Sequence, residues 1–191
     1  MLRERGRENW GCTALDDSTG TLTRFHVLPD RSALLVKARS NVGPINFGST
    51  DLSGVVVAEV CDGQLVGIER TCAHLEIPVA SLASGNAIYD AEVQRRVDAR
   101  RYPTICVELT NATAVADSDR FLLSANVILR DIVLDLTGAV SVELTGPNSL
   151  VVTGNHALDI RDFRIEVPST MLLKIYPEIL IEMHLEATAA A

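Results

Sequence analysis

Apolar residues in this chain recur mostly at every second position, and in one place only does that rhythm turn helical. The place is residues 85–105, GNAIYDAEVQRRVDARRYPTI, where Tyr89, Val93 and Val97 recur every four residues. That spacing predicts one apolar stripe on a helix, with Asp90, Gln94, Arg95 and Arg101 facing elsewhere. Asn86 is placed to accept a free backbone N–H of the first turn. Pro103 forces Tyr102 out of helical geometry, so the helix, over about 86–101, must end before a strand starting at Thr104.

Everything else reads as strand and turn. From Ser32 on, Leu34, Val36 and Ala38 alternate with Lys37 and Arg39, a strand with one wet face. Asn41, Val42, Gly43 and Pro44 form a turn, and a strand over 52–60 follows, bent at Gly54. Asp62 and Gly63 then reverse the chain into one continuous strand over 65–77, neither face of which is uniformly apolar. Beyond the helix, strands are expected over 104–115, 120–129, 132–144, 149–160 and 178–187. In the second of these Phe121, Leu123, Ala125, Val127 and Leu129 alternate strictly, while Leu122 and Ile128 make the other face apolar too. Such a face calls for cover by the helix or by a second copy, hence a possible homodimer. Seven or eight closely spaced strands give an all-β antiparallel sheet, as barrel or sandwich, and Gly54, Gly67, Gly138 and Gly154 suit strong coiling. Residues 1–24 read as a polar arm tacked down or not by Trp10, 25–188 as one domain and 189–191 as a tail.

Charge and composition exclude several function classes. A formal net charge of −8 argues against nucleic-acid partners and anionic membrane surfaces. No apolar run reaches the roughly 18 residues that span a bilayer. Charged residues 1–7 are followed by Glu8-Asn9-Trp10-Gly11 and not by an apolar core, which implies no secretory signal and a cytoplasmic location. Cys61, placed opposite Gln64, and Cys72, placed opposite Ser53, are not cross-strand partners; with Cys106 they read as small apolar strand residues. His26, His74, His156 and His184 have no metal-ligand spacing. Glu182 and His184 share a face with Glu178 and Glu186 that reads as solvated, and Ser81 and Ser84 lack a nucleophile-elbow context. No catalytic residue, metal or cofactor is expected.

Asn86, Asp90, Asp98 and the run Tyr102-Pro103-Thr104-Ile105 resemble the signature of the YceI-like family. Two weaker echoes are Asp51-Leu52-Ser53-Gly54-Val55 and Asp159-Ile160-Arg161-Asp162-Phe163. The resemblance implies a lipocalin-like antiparallel β-barrel with one helical insert, of bacterial type, holding an isoprenoid-like lipid without catalysis. In such a barrel Tyr89, Val93, Val97, Phe121, Leu123, Val127 and Phe163 would contact the hydrocarbon, and the helix would act as a lid. Arg96 and Arg100, four apart, would meet an anionic head group or, more plainly, pair with Glu92 or Asp98. Asp90, Arg161 and Asp162 would pair in or near the barrel. A filled barrel serving as an interaction module, or an enzyme of the same architecture, are the competing readings. With aromatics at only 4% of the chain, an aliphatic wall suits a flexible hydrocarbon. The far-UV circular dichroism spectrum should accordingly be dominated by strand; more helix than strand would exclude a barrel.

Overall fold

Alternation becomes a closed barrel because every inward-facing side chain finds its cover across the interior. The structure, a computed structural model, describes residues 20–146, 148–167 and 174–189. Trp10, most of the polar arm, and the last two residues of the tail lie outside the described residues. The strands are β1 (Thr21–Val27), β2 (Ala33–Ser40), β3 (Gly43–Ser49), β4 (Ser53–Cys61), β5 (Gln64–Val66), β6 (Cys72–Pro78), β7 (Thr104–Ala114), β8 (Arg120–Leu129), β9 (Ile132–Gly146), β10 (Ser149–Asp159) and β11 (Ile175–Ala189). Among the described residues a single α-helix, α1 (Ala87–Val97), is found, between β6 and β7.

All the pairings are antiparallel. The eight strands β1, β4, β6, β7, β8, β9, β10 and β11 follow one another round a ring that β11 closes by pairing with β1. β11 divides one edge between two partners: residues from Ile175 to His184 pair with β2, and Ala187 to Ala189 with β1. The β2–β3 hairpin therefore hangs on the ring as an extra flap, and Gly48 of β3 bridges to Ala83 just ahead of α1. On the outside Lys37 Nζ donates to Glu182 at 2.5 Å and Arg39 to Glu178 at 3.3 Å. These pairs confirm a wet face on β2 and β11; exposed ion pairs of this kind contribute about 0–1 kcal/mol. Inside, Phe25, Leu52, Leu150 and Leu185 are fully buried.

Four local expectations need correction. β1 begins at Thr21, inside a stretch that read as loop, because Leu22 and Phe25 are too few apolar residues to announce a strand. β3 carries no strand signal of its own: Ile45 and Phe47 alternate, but Pro44, immediately before Ile45, signals only a turn. Pro44 is tolerated because β3 pairs on one side with β2, leaving its other edge largely free of ladder bonds. The strand expected over 65–77 is broken by a left-handed Gly67 (φ 53°) and a 3-10 turn at Ile68–Arg70. That turn swings Arg70 back onto Glu59, whose side chain is fully buried and also accepts the N–H of Gly20 at 2.8 Å. A buried carboxylate without such partners would be very costly, so the chain bends to supply one. The break resets the register, and Cys72 faces Val57 instead of Ser53. Finally, α1 ends at Val97, not near Arg101, because Asp98 adopts the left-handed conformation (φ 57°) three residues ahead of the expected stop.

The face of β8 carrying Leu122 and Ile128 is not covered by α1, and Leu122 and Val133 are 42% and 55% exposed. Phe25→Ala should lower the free energy of unfolding by about 3–5 kcal/mol in urea titrations, as expected for a fully buried aromatic side chain.

Candidate ligand cavity

The inward residues of the strands do not meet in the middle. They leave a cavity of about 660 Å³. β8 contributes Leu123, Ala125, Val127 and Leu129, β9 contributes Leu136, Gly138, Val140 and Val142, and β11 contributes Ile179, Ile181, Met183 and Leu185. Phe47, Tyr89 and Phe163 are the aromatic residues on its wall. Its polar wall residues include Thr71 and His156 within the barrel, exposed Asn155 at its margin, and Glu92, Arg96 and Glu166 at the end where α1 lies. The interior is thus hollow, which removes the filled-barrel reading.

α1 is seated at that end by both polar and apolar contacts. Asn86 caps it as expected, its Oδ1 accepting from Ile88 N at 3.0 Å. Asp90 accepts from Ser84 N at 2.7 Å and from Ser84 Oγ at 2.6 Å, tying the first turn to the incoming loop. Tyr89 and Val93 pack against the main core, while buried Val97 joins Val79, Leu129, Phe163 and Ile165 in a second cluster. A fully buried valine contributes about 1.5–3 kcal/mol, and each hydrogen bond about 0.5–1.5 kcal/mol.

The arginine cluster resolves into an ion-pair knot. Arg95 reaches Glu92 through Nε (2.9 Å) and Nη2 (2.8 Å), and Arg96 Nε donates to the same carboxylate at 2.6 Å. Arg96 Nη1 also donates to the backbone carbonyl of Glu166 at 2.6 Å, strapping the helix to the segment before β11. The Arg95 hydrogen bonds, with those of Arg96 and opposed by desolvation, hold the Glu92 carboxyl at about 2 against its usual 4.5. The same segment is fixed from the other side, where Arg130 Nη1 donates to the carbonyl of Arg164 at 2.6 Å.

Of the residues picked from sequence, Tyr89, Val93, Val97, Arg96, Leu123, Val127 and Phe163 all line the cavity. Phe121 and Arg100 do not. Phe121 sits one inward position beyond Leu123, past the cavity's end, and Arg100 lies exposed in the turns after the early helix stop. The expected Asp90–Arg161–Asp162 grouping is also absent. Asp90 is engaged by Ser84, and Arg161 is held by Asp159 at 2.5 Å, which lowers the carboxyl pKa of Asp159. Sequence reading missed Ile45 and Phe47 with β3, and His156 because only its neighbours in space give it a place on the wall.

Tyr102 of the Tyr-Pro-Thr-Ile run hydrogen-bonds Asp131 in the β8–β9 turn, which raises its phenol pKa. It ties the helix exit to the opposite hairpin. Cys61 and Cys106 are free thiols, and burial, then Glu76 and Glu108, push the Cys106 pKa up, away from reactive thiolate. Cys72, however, is disulfide-bonded. The expectation of an inert thiol fails there because it considered only partners across the sheet. Among the described residues no cluster of His, Cys, Asp or Glu could hold a metal ion, and no helix is long and apolar enough to cross a membrane.

A closed antiparallel eight-strand barrel around an apolar chamber, plugged by one helix, defines a lipocalin-like barrel. The chain belongs to the YceI-like family: the profile of the YceI-like domain matches residues 26–187. Among solved structures it is similar to Burkholderia cenocepacia BcnA, at 18% identity and a TM-score of 0.71 over 85% of this chain and 99% of that one. It is also similar to a polyisoprenoid binding domain from Saccharophagus degradans implicated in plant cell wall breakdown (13%, TM-score 0.68, 89% and 100% of the two chains). A third is the Campylobacter jejuni YceI protein (14%, TM-score 0.61, 74% and 82%). No curated protein matches the chain.

The Glu92 knot should be acid-sensitive. Because the folded carboxyl titrates below its usual value, its contribution is whole above pH 4.5 and is lost as pH falls through about 2. Backbone NMR of α1 through that range should show the helix loosening in the wild type, with a flatter acid response in Glu92→Gln.

Proposed function

We propose that the protein binds a lipophilic, isoprenoid-like molecule in the barrel and sequesters or carries it without chemical conversion. The observation that carries this reading is the cavity of about 660 Å³, walled almost wholly by aliphatic side chains. That volume is within the roughly 300–1,000 Å³ typical of ligand sites. Each methylene moved from water onto such a wall contributes about 0.8 kcal/mol, enough for tight retention without a single strong polar contact. Leu, Ile and Val walls accept a bending hydrocarbon, whereas a planar ligand would be better held between rings, and only Phe47, Tyr89 and Phe163 offer them. The similarity to the polyisoprenoid binding domain of Saccharophagus degradans points the same way.

A head group is less well provided for. Arg96 already donates to Glu92 and to the Glu166 carbonyl, and Arg100 is outside the cavity, so neither waits for a phosphate. The reading therefore favours a ligand whose polar end carries no charge. Non-catalytic binding fits the wall: its acids, Glu92 and Glu166, and its base, His156, stand on separate elements, and Glu92 is taken up by Arg95 and Arg96. The uncovered face of β8 and β9, with Leu122, Ile128 and Val133, favours pairing with a second copy. Light scattering of wild type and Val133→Glu would reveal such a dimer.

Native mass spectrometry of freshly purified protein should find a co-purified neutral lipid. Val93→Asp or Val97→Asp should weaken retention by about tenfold or more, since an unpaired carboxylate would enter the apolar wall. Ala91→Asp, on the exposed face of α1, should leave retention unchanged. Equal loss from all three variants would set the cavity reading aside.

A further inference from the structure

We infer that the ligand passes through the side of the barrel, at a seam where β9 and β10 part, and that the His156 ring closes this seam. The inference rests on the cavity being the lipid site, and adds the route by which it fills and empties.

The seam is visible in the strand register. β10 pairs with β9 from Ser149↔Gly146 as far as Gly154↔Val140, and no further. Past that point β9 continues from Ala139 back to Ile132 bonded only to β8. β10 continues from Asn155 to Asp159 bonded only to β11. Ala139, the first residue beyond the last pair, turns its carbonyl to the guanidinium of Arg120, Nη2 donating at 2.7 Å. No ladder of backbone bonds therefore joins the two lips. The opening is bounded at one end by the Gly154–Val140 pair. At the other stands the 3-10 turn Ile160–Phe163, just beyond which Arg130 holds the Arg164 carbonyl.

The cavity reaches this opening. Leu136 and Gly138 on one lip, and Asn155, His156 and Leu158 on the other, all line it. Asn155 is decisive. Successive strand residues point to opposite faces, so Asn155 and His156 can border one cavity only where the strand has an open edge. Asn155 is also solvent-exposed, which places the cavity's margin at the surface.

His156 spans the gap. A Cβ built on Gly138 would lie 3.2 Å from its Nδ1, so the imidazole of β10 rests against bare backbone of β9. Among the described residues no hydrogen bond fixes this ring. Turning one imidazole aside opens the seam, with no backbone bond to break. The helix end is fastened by contrast: leaving it means separating Asp90 from Ser84 and Arg96 from Glu166, and exposing Val97. The low-cost route is lateral.

The test uses an anthraniloyl ester of geranylgeraniol as probe, with association and displacement followed by stopped flow. His156→Ala should raise both the on-rate and the off-rate by about tenfold while Kd stays within about threefold, the signature of a gate and not of a wall contact. A Thr137→Cys/Ala157→Cys variant, in a Cys61→Ser/Cys106→Ser background, places two exposed positions across the seam. Bridging them with a reducible bismaleimide should slow both rates by about tenfold, reversed on reduction. Ser84→Ala/Asp90→Asn, which unties α1 from the incoming loop and touches no cavity residue, should leave the rates within about twofold. Faster exchange in that variant with no response from the seam variants would overturn the lateral route. Hydrogen exchange reads the seam without any ligand: alternate amides in 132–139 should exchange like an open edge, faster than those of β8 over 121–128, which is paired on both sides. Protection equal to that of 121–128 would overturn the seam even if the probe binds. Open-edge exchange in a protein that does not bind the probe would instead overturn the lipid reading.

Discussion

A hollow barrel gives up the contacts that a packed centre would supply, and the rest of this structure is arranged around that loss. Side chains lining a void have no partner atoms on one side, so stability must come from the walls and the ends. The walls answer with a continuous ring of antiparallel pairs, in which β11 shares its edge between β2 and β1 so that the sheet has no seam where it closes. Phe25, fully buried and off the chamber wall, marks the packed end next to that closure, with Leu150 and Leu185 buried against it on the wall. The opposite end cannot be packed without filling the chamber, and α1 covers it instead.

The polar groups follow the same logic. Glu59 is buried completely, yet it lies in the wall and not on the chamber, where Arg70 and the Gly20 N–H satisfy it. Glu92 and Arg96 do border the chamber, but they neutralise each other and spend their remaining capacity on Arg95 and the Glu166 backbone. What faces the chamber is thus close to pure hydrocarbon. A ligand bound there as proposed would draw its affinity from area removed from water, which would select for length and flexibility more than for a particular outline.

Much of the fold could be read from the chain because period two and period four are hard to confuse over long stretches. β8 and β10 fell within a residue or so of their expected bounds, and the Tyr89–Val93–Val97 stripe packs inward as its spacing required. What escaped depends on tertiary partners. The break at Gly67 exists because Glu59, eight residues earlier and on another strand, needs Arg70. β3 exists because β2 offers an edge, which overrides the turn signal of Pro44. The helix stops at Asp98 through a left-handed residue that no proline or glycine announces. The cavity wall was legible where a strand alternates, as at Leu123 and Val127, and misplaced at its limits, as at Phe121. Alternation gives the side a residue faces, and says nothing of how far along the axis the void extends.

The order of translation gives the ring a particular timetable. β11 follows every strand it binds, and its partners β1 and β2 are among the earliest made. Until it emerges, β1 and β10 each lack a neighbour, and the ring from β1 through β4 to β10 is an open, curled sheet. Closure demands a contact between segments more than 150 residues apart, such as Val27 with Ala187, which makes it a late and slow event. Before it, the aliphatic face destined for the chamber is open to solvent and sticky. A nascent chain of this protein thus has most need of a chaperone during synthesis of its final strand. A truncation that loses β11 would leave an adhesive half-shell and not a smaller barrel.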